Sequence, residues 1–179
     1  MALKATIFKA ELQIADLDRH YYAEHALTLA RHPSETDQRL MVRLLAFALH
    51  ADDGLTFTRG LSTADEPDLW QKDLSGTVQT WIELGQPDTR RMRSAAGRAA
   101  RVLVYSYSGR SADTWWQQVR AAVEGINNLS VRNLSAEAVR DLAGLVQRSM
   151  HLHCTIQDGQ AWIADARHTV EVPVMTWQA

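Results

Sequence analysis

The chain opens on a strict alternation. From Ala5 to Ala15, Phe8, Ala10, Leu12 and Ile14 share one side, while Lys9, Glu11 and Gln13 share the other. A period of two predicts a half-buried strand. Asp16 to Arg19 reads as a turn. His20 to Arg31 fits a helix face through Tyr22, Ala26 and Leu29, or a second strand. The short preceding turn and the Tyr21-Tyr22 pair favour the strand. The period then lengthens. Gln38 to Ala51 carries Met41, Leu44, Leu45 and Ala48 on one face, with Leu40, Phe47 and Leu49 around it, which predicts a largely buried helix. Pro33 ends any strand ladder before it. Ser34 is the expected N-cap, with Asp37 at the capping-acid position and Glu35 in the first turn.

Asp52-Asp53-Gly54 closes that helix, and Leu55 to Gly60 reads as a short strand. The acidic stretch Asp65-Glu66-Pro67-Asp68-Leu69-Trp70 comes next. A buried strand then runs to Glu83. Pro87-Asp88 opens a basic helix bearing Arg90, Arg91, Arg93, Arg98 and Arg101, with small residues at Ala95, Ala96, Gly97, Ala99 and Ala100 for close packing on a sheet. Val102 to Tyr107 is apolar without alternation and predicts a central strand. Ser108 to Asp113 reads as loop and cap, followed by a helix from Thr114 to about Ile126. A strand over Leu129 to Leu134 follows, then a helix capped by Ser135 and running from Ala136 to about Val146. Ser149 to Thr155 and Ala161 to Ala164 form a hairpin about residues 157–160. The tail from His168 to Trp177 is extended, with Pro173 marking an edge. The fold class expected is α/β: one domain over residues 1–179, with a mixed sheet flanked by helices and extra N- and C-terminal strands.

Composition narrows the function. The 179 residues are 46% hydrophobic and 22% charged, ordinary for one globular domain. A net charge of −2 means that contact with nucleic acid must come from a local patch. Cys154 is the only cysteine, which suits a reducing cytoplasm. The first eleven residues mix charge among apolar positions, so no signal peptide is expected. No run is long enough to cross a bilayer. The chain is expected to be cytoplasmic and away from membranes.

Trp81-Ile82-Glu83-Leu84-Gly85 sets one carboxylate among apolar neighbours. Burying an ionised acid costs on the order of several kcal/mol unless a cation meets it. A metal is the simplest such cation, and Asp68 the simplest co-ligand. If the two strands pair, both carboxylates reach one site beside Glu35. Carboxylates, a carbonyl and waters satisfy Mg2+ or Mn2+, which polarises a phosphate and activates water. The arginine helix starting just beyond offers Arg90, Arg91 and Arg93 to a phosphate backbone, with salt-sensitive affinity. The alternative for that helix is a solvated face paired with nearby acids. For Glu35 the alternative is a charge at the positive end of a helix dipole.

Other groups carry less. His151 and His153 share one face of a strand, as metal ligands or plain surface, with Cys154 on the other face as a small core residue. Tyr105 and Tyr107 line the site or pack. Trp70, Trp81, Trp115, Trp116 and Trp162 read as packing residues. Trp115 and Trp116 cannot face one way, which leaves one of them for a partner.

Pro67-Asp68 followed by Glu83-Leu84-Gly85, after a helix bearing Glu35, resembles the PD-(D/E)xK nuclease pattern. Over nearly the full length, residues 26–37 (Ala-Leu-Thr-Leu-Ala-Arg-His-Pro-Ser-Glu-Thr-Asp), Gly-Leu-Ser (60–62), Asp-Glu-Pro-Asp-Leu-Trp (65–70), Trp-Ile-Glu-Leu-Gly-Gln-Pro (81–87) and Val-Tyr-Ser-Tyr (104–107) together resemble the bacterial YaeQ family. That resemblance implies a variant of the PD-(D/E)xK fold, with Asp68 and Glu83 at the metal-ligand positions and Glu35 at the acid of the first helix. Gly85 stands where the motif has Lys, with Gln86 adjacent.

Two functions follow. One is a metal-dependent phosphodiesterase acting on nucleic acid. Asp68 and Glu83 hold the metal, Glu35 assists through water, Gln86 orients the nucleophile in place of Lys, and Arg90, Arg91 and Arg93 hold phosphates. The other is a relative without catalysis that binds nucleic acid or a protein partner, in a regulatory role linked to transcription. The missing Lys and the negative net charge favour the second. Retention of every acid favours the first.

Overall fold

A computed structural model describes residues 4–62 and 64–179; the first three residues of the N-terminal stretch lie outside these. In chain order the elements are β1 (Thr6–Asp16), β2 (Tyr21–Arg31), α1 (Asp37–His50), β3 (Leu55–Phe57), a 3-10 turn (Gly60–Ser62), β4 (Leu69–Lys72), β5 (Val78–Leu84), α2 (Thr89–Arg98), β6 (Ala99–Ser106), α3 (Arg110–Val123), β7 (Leu129–Leu134), α4 (Ala136–Ala143), β8 (Ser149–Gln157), β9 (Gln160–Ala164), β10 (Thr169–Val172) and β11 (Val174–Gln178). The α/β class holds. The strands, however, fall into two mixed sheets rather than one, and the chain gathers into two compact units.

The first unit takes the described residues up to Leu49 together with Glu137–Val174. Its sheet runs β10-β9-β8-β1-β2. β1 pairs antiparallel with β2 and parallel with β8. The alternation of β1 sends Phe8, Ala10, Leu12 and Ile14 into the core, and Met150, Leu152, Cys154 and Ile156 of β8 do the same. The strand reading of β2 is correct. Its turn is built by Asp16, whose Oδ1 accepts the N–H groups of Asp18 and Arg19 at 3.0 Å each. Asp158 and Gly159 between β8 and β9 both have positive φ, as a tight hairpin turn requires. Their N–H groups donate to the Asp18 carboxylate, tying the two turns together.

Helix α1 is buried on almost every side, from Leu40 to Leu49. Its start differs from expectation. Thr36 Oγ1, not Ser34, receives the Arg39 N–H (3.1 Å), whereas the Ser34 hydroxyl pairs with the His32 ring. Glu35 therefore precedes the helix instead of sitting in its first turn. The Arg31 side chain holds the Glu35 carbonyl at 2.8 Å, keeping residues 32–35 in a turn. At the other end, α4 stops at Ala143 because residues 144–146 fold back in turn bonds.

The second unit takes the described residues of His50–Ala136 with Met175–Ala179. Its sheet runs β11-β7-β6-β5-β4-β3, with β5, β6 and β7 parallel and β3 and β4 antiparallel. β6 is interior, as its apolar run implies. It begins earlier than expected, so Arg101 belongs to β6 and not to the basic helix. α3 likewise begins at Arg110, where Gly109 at φ +60 turns the chain out of β6. The tail is two strands. Pro173, which has no N–H for a ladder, separates β10 of one sheet from β11 of the other. Trp81, Val102, Val104 and Val131 from the sheet meet Met92, Trp115 and Val123 from α2 and α3 in one apolar cluster.

Candidate functional site

The β4–β5 ladder sets the geometry of the acids. Leu69 pairs with Ile82 and Trp70 with Trp81, and the Asp68 N–H donates to the Ile82 carbonyl at 2.9 Å. Just before that ladder, Asp68 lies close enough to Glu83 for its charge to act on the Glu83 carboxyl. Both are buried, at 3% and 5% exposure. Asp68 Oδ2 accepts the Leu84 N–H at 2.8 Å. The chain turns away directly afterwards at Gly85, φ +98, whose N–H donates to the Tyr105 carbonyl.

A cation does meet Glu83, and it comes from α2. Asp88 caps that helix by accepting the Arg91 N–H at 2.7 Å. The Arg91 guanidinium then lies on Oε1 of Glu83, with Nε at 2.7 Å. The Trp81 indole donates to the same oxygen at 2.9 Å. Arg91 also donates to the carbonyls of Ala64 and Glu66. Two turns on, Arg98 donates to the Asp65 carbonyl (3.1 Å) and covers the Trp81 ring at 4.8 Å. The acidic stretch 64–66 is thus tied to α2 through its backbone. The spacing Arg91, Arg98 is the signal that predicts this, because residues seven apart share a helix face.

Burial pushes the Glu83 carboxyl above its ordinary value of 4.5; Arg91 and the Trp81 indole pull it down, and the nearby Asp68 charge adds to the rise.

Glu35 belongs to the first unit, where its carboxylate receives Arg43 through Nε and Nη2 (2.8 and 2.9 Å) and Arg39 at 3.2 Å. Gln86 is exposed and hydrogen-bonded to the Ser111 hydroxyl at 2.9 Å. Together with Arg110, Thr114, Trp115 and Gln118 it lines a cavity of about 400 Å³. Arg93 donates to the Ala122 carbonyl, and Arg90 is exposed. Tyr105 is fully buried; its register with Leu84 puts it on the sheet face opposite Glu83. His151 and His153 are exposed on β8. Trp115 donates from its indole to the Pro87 carbonyl, while Trp116 stacks on Trp177 at 5.7 Å. Among the described residues no group of three or more His, Cys, Asp and Glu side chains is placed to hold a metal ion.

The YaeQ protein family model matches residues 1–174. The chain belongs to the YaeQ family. It is 47% identical to the "Uncharacterized protein YaeQ" of Salmonella typhi and 46% identical to that of Escherichia coli (strain K12), in each case over 99% of this chain and 98% of the relative. Among solved structures, the crystal structure of the YaeQ protein from Xanthomonas axonopodis pv. citri superposes with a TM-score of 0.95 at 50% identity, covering 98% of this chain and 99% of that one. The YaeQ protein from Pseudomonas syringae superposes with a TM-score of 0.94 at 35% identity, covering 98% and 97%. The mixed sheets and flanking helices are therefore those of the YaeQ family. No helix among the described residues is long and apolar enough to cross a membrane.

Proposed function

We propose that this YaeQ-family chain is a relative of the PD-(D/E)xK nucleases whose Asp68–Glu83 pair takes a hard divalent cation and acts on nucleic acid phosphodiesters. The observation that carries this reading is the pairing of two buried carboxylates, Asp68 just before β4 and Glu83 near the end of β5, close enough that the charge of one acts on the other. One or two carboxylates plus waters and substrate phosphate are a usual Mg2+ environment, so the donor set suits Mg2+ or Mn2+. Such an ion would supply charge stabilisation at a phosphate and an activated water. Within the chain, Leu84 N–H orients Asp68, and the Trp81 indole and Arg91 orient Glu83. Arg91 keeps a positive group at the acids where the motif would have its Lys. Arg90 is exposed on α2, where it would meet a phosphate backbone, and its contribution is salt-dependent.

Calorimetric titration with Mn2+ and Mg2+ tests the reading, using the native chain and the Asp68→Asn/Glu83→Gln variant. Saturable binding that the double substitution removes is the expected result, followed by metal-dependent cleavage of single- or double-stranded DNA or RNA. Absence of metal binding by the native chain overturns it.

A second reading has its own support. Arg91 already serves as the counter-ion of Glu83, and Gly85 sits at φ +98, where a Lys backbone is strained. On that reading the chain is a non-catalytic nucleic-acid- or protein-binding module with a regulatory role in transcription. Metal-independent retention of a nucleic acid or a specific protein, unaffected by the double substitution, distinguishes it.

A further inference from the structure

Strand β8 is longer than the partner on its outer side. It lies beside β1 from Ser149 to Ile156, whereas β9 meets it only from His153, opposite Ala164, to Gln157. Successive residues of a strand direct their N–H and C=O groups to alternate sides. Within Ser149–Leu152, every second residue therefore turns those groups away from β1, toward the side that β9 leaves open. Beyond Ala164 the chain closes on itself instead of following β8. The Asp165 N–H donates to the His168 carbonyl at 3.0 Å, and Asp165 Oδ1 accepts the N–H groups of Arg167 and His168 at 2.8 and 2.7 Å. On the other side, the chain leaving α4 folds back at Leu145, whose N–H donates to the Leu142 carbonyl.

These three segments line a cavity of about 420 Å³, the size of a small-ligand pocket. Its walls differ in chemistry. Leu145, Met150 and Leu152 are buried and give it an apolar floor. Arg167 lines it from the β9–β10 turn and is exposed, so solvent reaches it. The Asp165 carboxylate is already held by the N–H groups of its own turn, and Arg167 acts on it by charge alone. The guanidinium fork is thus left for another acceptor, and a carboxylate matches it in charge and geometry.

We propose that this cavity binds the free carboxyl end of an extended peptide. The peptide backbone continues the ladder along Ser149–Leu152, where β9 is missing. An apolar side chain seats on Leu145, Met150 and Leu152, and the terminal carboxylate takes the Arg167 guanidinium. Adding a strand to a free edge, with a pocket for a side chain and a capture site for the terminus, is a general mode of peptide recognition. A simple anion would use the arginine alone, and a hydrocarbon the floor alone. The turn that carries Arg167 is held by its own hydrogen bonds, which lowers the ordering cost of binding. The cavity lies wholly in the first unit and is independent of Asp68 and Glu83.

The test follows the backbone amides of β8 in proton–nitrogen spectra of the full chain while N-acetyl-Ala-Leu is titrated in at constant ionic strength. Saturable shifts at Met150, His151 and Leu152 are expected. The same dipeptide with its carboxyl group amidated should bind about tenfold or more weakly, the worth of a charge-assisted hydrogen bond. Arg167→Gln, a change on an exposed turn, should weaken the acid by a similar factor and leave the amidated form unchanged. Amides unmoved by the dipeptide in the native chain overturn the proposal, and this arm needs no variant to fold. Equal affinity for the acid and the amidated form overturns it, as does unchanged affinity in Arg167→Gln. Acetate binding as tightly as the dipeptide also overturns it, because the strand edge and the apolar floor would then contribute nothing.

Discussion

Arg91 sits on Oε1 of Glu83 at 2.7 Å, so the one buried acid of β5 is neutralised by a side chain two turns of sequence away, on the helix that Asp88 caps. The cation that this buried carboxylate requires is built into the chain. Arg91→Ala removes it, along with two bonds to the carbonyls of Ala64 and Glu66. We expect a loss of about 3 kcal/mol in urea unfolding, at the lower end for a broken buried pair because Arg91 is 31% exposed. A loss below about 1 kcal/mol, the level of a surface pair, would contradict this account of the contact.

Glu83 makes stability depend on pH in a stated direction. Its folded value lies above 4.5, so the folded state holds the proton more tightly than the unfolded chain does. Its contribution is fully present below 4.5 and is lost as pH rises through the folded value. The stability of the native chain minus that of Glu83→Gln should therefore fall as pH rises through this window and flatten above it. A carboxyl carbon titration of Glu83 by NMR should give a midpoint above 4.5. A midpoint below it reverses the sign.

Glu35 and Arg43 should behave as a buried unit. Both are about 3% exposed and joined by two bonds. Glu35→Ala strands Arg43 without its carboxylate and should cost about 3–5 kcal/mol. Adding Arg43→Met should recover part of that loss, because the stranded charge is removed. Simple additivity in the double-mutant cycle would show that the two are not coupled.

Gly85 is where the nuclease motif carries Lys. Its φ of +98 disfavours any L side chain, yet a Cβ there meets nothing within 4 Å. Gly85→Lys and Gly85→Ala should therefore fold and lose similar stability, about 1–2 kcal/mol each, from the backbone alone. A much larger loss for Lys would indicate a clash that the geometry lacks.

Cys154 lies in the core of β8, and burial pushes its thiol up to about 12. It should resist a thiol reagent in the native state at neutral pH and react fully once urea unfolds the chain, since the thiolate is the reactive form. Fast native labelling would show that this strand opens.

The strands and helices themselves were readable in the residues. The alternation of β1, the apolar run of β6, the Asp158-Gly159 turn and the broad apolar face of α1 each express a local rule, and each element appears where that rule puts it. Boundaries slipped where a side chain reached out of its own segment. Arg31 holds the Glu35 carbonyl and delays α1 until Thr36 can cap it. The meeting of Asp68 with Glu83 was conditional on strand pairing; β4 does pair with β5, and Asp68 just before it reaches the Leu84 N–H beside Glu83.

Partner choice lay beyond the sequence. Glu83 needs a cation, but periodicity alone cannot say that Arg91 provides it while Arg93 turns to Ala122. Glu35 could equally have been a site acid, and its place between Arg39 and Arg43 arises from how β2 and α1 pack in the first unit. The pairing of Tyr105 with Arg132 follows from the parallel register of β6 and β7. Hydrophobic period is a property of neighbouring residues, so it specifies elements. Charge pairing is a property of residues far apart in the chain, so the packed structure decides which acid meets which base.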